Sequence, residues 1–142
     1  MNGVLPRGES APEIVLRQLP AERDGARQRW SIAWDIANKG SHAIAISGVR
    51  LPHGQFRSDD HRFDPPLDIA PGETRQFDVG VSCDEPAGLV TENAFVIFTA
   101  RWSGKAWRIF VRIRVIVNAA GKPETETQLI TTQQVGFSGV AS

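Results

Sequence analysis

The sequence predicts an all-β domain of about seven antiparallel strands arranged as a sandwich. Three observations point there. Residues 93–118, NAFVIFTARWSGKAWRIFVRIRVIVN, read as two period-2 runs around a short turn, which makes one long hairpin. Residues 29–37 and 43–51 alternate in the same way, and turn residues separate them. No segment carries apolar residues at the 3.6-residue spacing of a helix over enough length to form one.

In chain order, residues 1–11 are rich in Gly, Pro and Ser and read as a loose lead-in to a domain at 12–118. Residues 13–19 alternate and suit an edge strand, with Pro12 and Pro20 blunting its ends. A charged loop around Asp24-Gly25 precedes the strand at 29–37, where Trp30, Ile32, Trp34 and Ile36 share the inward face. Asn38-Lys39-Gly40 makes a turn. In the strand at 43–51, Ile44 and Ile46 point inward, Gly48 marks a bulge, and Val49 and Leu51 resume the inward role. Residues 53–68 read as a long irregular connection, because the adjacent Pro65 and Pro66 disfavour regular strand. A turn at 68–72 opens the next strand, in which Phe77, Val79, Val81 and Cys83 share one face. Residues 84–91 form a loop.

The hairpin then closes the domain. With Gly104-Lys105 as its two loop residues, a type II′ turn is expected. That register sets Trp102 opposite Trp107, Ala100 opposite Ile109, Phe98 opposite Val111, Val96 opposite Ile113 and Ala94 opposite Val115. These ten apolar residues fall on one face. The other face pairs Arg101 with Arg108, Thr99 with Phe110, Ile97 with Arg112 and Phe95 with Arg114, and Ile116 continues it. Residues 119–142 form a C-terminal extension. Within it, 121–127 is linker-like, and 128–137, QLITTQQVGF, has the composition of an extra strand that packs on its own sheet or adds to another chain.

At 142 residues the chain fits a single domain with a core that needs no metal or disulfide support. Lys and Arg number 16, as do Asp and Glu, so the net charge is zero. Zero net charge argues against nucleic-acid binding driven by bulk attraction. One cysteine permits no internal disulfide. The first ten residues contain no apolar signal core, and no stretch has the length of a membrane span, so a cytoplasmic protein with no membrane contact is expected.

The run WSIAWDIANKGSHAIAISGVRLPHGQF, followed by LDIAPGETRQFDVGV and a closing hairpin, resembles immunoglobulin-like domains of the Hydin and CARDB type. The matching positions are Asn38, Gly40, Gly54, Phe56, Pro71, Gly72, Phe77 and Val79, within residues 28–118. The resemblance implies an immunoglobulin-like antiparallel β-sandwich that serves as a scaffold or adaptor, with no active site and no cofactor. The paired cysteines of antibody domains are missing.

Four groups of residues suggest chemistry. His53, Asp59, Asp60, His61 and Asp64 are ligand types for a metal ion or small ligand in the 53–68 loop, but their spacing matches no known metal motif, which favours a polar loop with Asx-turns. Ser138, in Gly136-Phe137-Ser138-Gly139, resembles a nucleophile elbow without its final glycine or its helix. Cys83 and the four tryptophans share parity with core positions, which favours packing over nucleophilic or stacking roles. The hairpin's outer face is the strongest lead. There Phe95, Ile97, Arg101, Arg108, Phe110, Arg112 and Arg114 interleave arginine with large apolar groups, as protein interfaces do, and the even alternative is a solvated face of snorkelling arginines. With Arg114 opposite Phe95, the geometry would suit a cation–π pair. The function expected is a non-enzymatic interaction module. It would hold a protein partner or a second copy of itself through this face and the 128–137 strand.

Overall fold

A computed structural model describes residues 10–25 and 28–136, and among these it holds eleven strands and no helix. They are β1 (Ile14–Gln18), β2 (Glu22–Arg23), β3 (Arg29–Asn38), β4 (Ile44–Arg50), β5 (Pro52–His53), β6 (Phe56–Arg57), β7 (His61–Ile69), β8 (Thr74–Ser82), β9 (Val90–Trp102), β10 (Lys105–Val117) and β11 (Pro123–Val135). The first sheet runs β1-β3-β8-β6-β5, with β2 beside β3 on the side of β1. The second runs β11-β10-β9-β4-β7. The strand pairs are antiparallel.

Alternation decides what lies between the two sheets. On β3, Trp30, Ile32, Trp34 and Ile36 are buried, and on β8, Phe77, Val79 and Val81 face them from the same sheet. The second sheet contributes Ile44, Ile46 and Val49 from β4, with Leu51 just beyond it, and the ten predicted inward residues of the hairpin. All belong to one core. Each such large side chain contributes about 1.5–3 kcal/mol through removal of its apolar surface from water. Gly48 sits where the β4 register shifts, as expected for a bulge, and a Cβ there would lie 3.3 Å from the His61 carbonyl oxygen.

Four expectations need correction. The hairpin loop is Ser103-Gly104, so Trp102 pairs with Lys105 and Trp107 with Ala100. Both loop residues have positive φ, 51° and 76°, which is the type I′ pattern rather than II′. The pairing moves by two positions, so every side chain keeps its face. Trp102 and Trp107 become diagonal neighbours, and their rings still meet edge to face at 5.7 Å.

Residues 53–68 are not an irregular connection. They hold the end of β5, all of β6 and most of β7. The prolines are accommodated because β7 is an edge strand: pairing with β4 covers 61–62 and 67–69, and residues 63–66 have no partner in between. The stretch at 121–127 is not a linker beyond Lys122, because β11 begins at Pro123 and runs beside β10. The predicted C-terminal strand therefore lies on the chain's own sheet as far as Val135, and Phe137 is outside the described residues. The fourth correction concerns Arg114, which sits in the irregularity between Ile113 and Val115: Arg112, not Arg114, stands opposite Phe95, and the Arg114 guanidinium is held by Glu92 and Glu126.

Candidate partner-binding face

The outer face of the second sheet is laid down by parity on five strands. On β10 it carries Arg108, Phe110, Arg112, Arg114 and Ile116, because Trp107, Ile109, Val111, Ile113 and Val115 point into the core. Cross-strand partners share a face. One row across the sheet therefore reads Arg50, Ile97, Phe110 and Thr131. A second reads Arg62, Gly48, Thr99, Arg108 and Gln133, and a third Phe95, Arg112 and Leu129.

All seven residues singled out from the sequence lie on this face, but in different states. Arg114 is taken: its Nε donates to Glu92 at 3.0 Å and its Nη1 to Glu126 at 3.2 Å. Those two carboxylates raise its pKa above the usual arginine value, the Glu92 hydrogen bond being the largest cause. Arg101 donates to the Gly104 carbonyl at 3.0 Å and braces the turn. Arg108 and Arg112 make no ion pair or hydrogen bond among the described residues, and neither do Arg50 and Arg62. Ile97 is buried, Phe95 and Phe110 are half-buried, and Leu129 is 48% exposed.

Sequence reasoning missed Arg50, Arg62 and Leu129. Arg50 alternates with the inward Val49 and Leu51, so its outward direction was readable, but its neighbours depend on β4 lying beside β9. Arg62 was hidden by the prolines after it. Gly48 leaves a dent between these two arginines, a hollow of about 70 Å3 also lined by Asp60, His61, Ile97 and Thr99. A larger hollow, about 450 Å3, lies at the end of the sheet around Ala45, Arg75 and Arg101. Its arginines are engaged by backbone carbonyls, Arg75 with Asp68 and Arg101 with Gly104.

The remaining candidates separate. His53 is on β5, His61 and Asp64 are on β7, and Asp59 and Asp60 precede β7. Among the described residues no group of His, Cys, Asp or Glu is placed to hold a metal ion. All four tryptophans are buried, which leaves no aromatic platform of tryptophan on the surface. Trp30 donates its ring N–H to the Cys83 carbonyl at 3.1 Å. Cys83 is buried, and desolvation pushes its thiol up to about 11, with Glu85 and Asp84 adding to the shift. Ser138 lies outside the described residues. No helix among the described residues is long and apolar enough to cross a membrane. In comparisons with known proteins, no family model and no curated protein matches the chain.

Proposed function

We propose that this chain is a non-enzymatic interaction module, an immunoglobulin-like domain of the Hydin and CARDB type, which holds an acidic protein segment on the outer face of its second sheet. The strand neighbours favour the immunoglobulin-like reading: β1, β3 and β8 adjoin in one sheet, and β4, β9 and β10 in the other. One observation carries the functional reading. Arg50, Arg62, Arg108 and Arg112 lack acidic partners within the described chain and surround Phe95, Ile97, Phe110 and Leu129.

Guanidinium groups bind carboxylates through paired hydrogen bonds, and neighbouring apolar groups exclude water from those bonds. The chain as a whole is neutral, so the charge acts at short range on a docked segment rather than as a long-range field. Apolar groups between the arginines favour a peptide with acidic and large apolar residues over a nucleic acid.

The test is fluorescence anisotropy with a defined panel of labelled peptides, acidic-aromatic, neutral and basic, plus a single-stranded oligonucleotide. The expected result is selective binding of the acidic-aromatic peptides, weakened by added salt and abolished in Phe110→Ala/Arg112→Ala protein that keeps the parent circular dichroism. Retained binding in that variant would sink the reading. Preference for the oligonucleotide would replace the protein partner with nucleic acid.

A further inference from the structure

Among the described residues the two sheets expose four edges, and three of them are blunted against pairing. The β7 edge carries Pro65 and Pro66 and the acids Asp64 and Asp68. On one side of the first sheet β5 and β6 are two residues each and reach β8 only at Ser82, and the stretch of β8 they leave open, residues 74–81, carries Arg75, Asp78 and Gly80. The β1 edge is five residues long, with Arg17 in it and Pro12 and Pro20 flanking it. Short strands, charges and prolines are the ordinary defences of a sheet edge. β11 is different. It is thirteen residues long, and residues 127–135, TQLITTQQV, contain no charge, no proline and no glycine.

The two halves of β11 also differ in what covers them. The first half is tied to the first sheet: Gln18 Nε2 donates to the Pro123 carbonyl at 3.0 Å, and Thr127 Oγ1 to the Leu16 carbonyl at 3.4 Å. A register shift follows, where Arg112 pairs with Leu129 but Ile113 with Thr127, so Gln128 is the extra residue. Beyond it, residues 129–135 pair regularly with 112–106, and their far side meets no strand among the described residues. Among the described residues that leaves about 23 Å of edge whose outward N–H and C=O groups meet no strand.

We infer that this seven-residue edge is the seat of a second copy of the same chain, paired antiparallel about Thr132. In that register Leu129 faces Val135 of the second copy, Ile130 faces its Gln134, and Thr131 faces its Gln133. Every pair then joins residues of the same face, and the exposed Leu129 gains an apolar neighbour. Glu124 and Glu126 fall outside the paired stretch, so no like charges oppose each other.

A second copy laid on the outer face instead would set arginine against arginine. Edge pairing avoids this. The two-fold axis stands perpendicular to the sheet, joins the five-stranded sheets into one of ten strands, and brings both arginine faces to the same side. The inference rests on the edge alone and holds whether or not the face binds an acidic segment.

The experiment is light scattering after size exclusion on the full chain across a micromolar concentration series. A reversible species of twice the chain mass, and nothing larger, is expected, because two-fold pairing closes on itself. Thr131→Glu with Gln133→Glu sets like charges across both contacts and should give monomers with unchanged circular dichroism. Thr131→Lys with Gln133→Glu sets opposite charges across the same contacts and should restore the dimer. A parent monomeric throughout, a dimer that survives the glutamate pair, or one that the Lys and Glu pair fails to restore would each overturn the inference. Because the readout is mass, its failure is distinct from a failure of peptide binding.

Discussion

Asn38 donates from its side-chain Nδ2 to the carbonyl of Ile69, 3.0 Å away, and so joins the end of β3 in the first sheet to the end of β7 in the second. The same amide donates to the His42 carbonyl at 2.8 Å, and Oδ1 accepts from the Gly40 N–H at 3.0 Å. The backbone of Asn38 is also engaged, its N–H donating to the Glu73 carbonyl and its C=O accepting from the Gly72 N–H. The side chain is fully buried with its polar groups paired, which is how a buried amide avoids its desolvation cost.

Asn38→Ala should therefore cost about 2–4 kcal/mol, since it strips partners from two carbonyls and one N–H at a dry position. Urea unfolding monitored by tryptophan fluorescence measures this. Asn38→Asp should be no better, because it keeps the acceptor for Gly40 but sets an oxygen against two carbonyl oxygens. A loss below about 0.5 kcal/mol in both variants would show that the turn, not the amide, holds the two sheets together here.

The importance of this residue was visible in the sequence only as an Asn-x-Gly turn. Its reach to Ile69 depends on where β7 runs, and Pro65-Pro66 concealed that strand. The contrast recurs across the molecule. Which face a residue takes follows from parity, so Trp30 to Ile36 and Ala94 to Val115 read correctly even with the hairpin register displaced. Which residue stands opposite follows from turn geometry, and Ser103 in the left-handed region has no strong local signal. Which strands adjoin follows from long-range pairing, so the seven hairpin residues of the candidate face were legible while Arg50, Arg62 and Leu129 were not. Arg114 shared its face correctly but lost its expected partner, because the irregularity beside it brings Glu92 within reach.

Phe77 on β8 and Phe98 on β9 meet edge to face across the core, with ring centroids 5.8 Å apart at 87°. Phe63 on β7 continues the chain of rings, 5.6 Å from Phe77. Phe98 is fully buried, so Phe98→Ala should destabilise by about 3–5 kcal/mol. A double-mutant cycle of Phe77→Leu and Phe98→Leu should return a coupling of about 0.5–1.5 kcal/mol beyond lost area. Strict additivity of the two losses would show that the sheets are held by burial alone at this point.

Ser103 and Gly104 both take positive φ, 51° and 76°, in the hairpin turn. Asparagine tolerates the left-handed region better than serine, and Asn-Gly is the preferred pair for this turn. Ser103→Asn should raise stability by up to about 1 kcal/mol. Gly104→Ala should lower it by about 1–2 kcal/mol, since it places a Cβ in left-handed backbone. Thermal melts of the two variants should thus move in opposite directions from the parent. Equal or same-sign shifts would contradict the turn type.

Cys83 lies on the core side of the strand end after β8, and burial, then Glu85, then Asp84, raise its thiol from an ordinary 9.0 to about 11. A backbone hydrogen bond from Glu85 opposes the shift without cancelling it. Between these two values the folded chain holds a proton that the unfolded chain has released. Stability is therefore fully present below about pH 9 and falls as pH rises toward about 11. Cys83→Ala should remove this part of the pH dependence, so the difference between the two urea-derived profiles isolates the thiol. Iodoacetamide should label native Cys83 slowly at neutral pH and steeply faster as pH approaches 11, whereas protein unfolded in urea should already label near 9. Rapid native labelling at neutral pH would mean that Asp84 and Glu85 stand over an open site rather than a closed core edge.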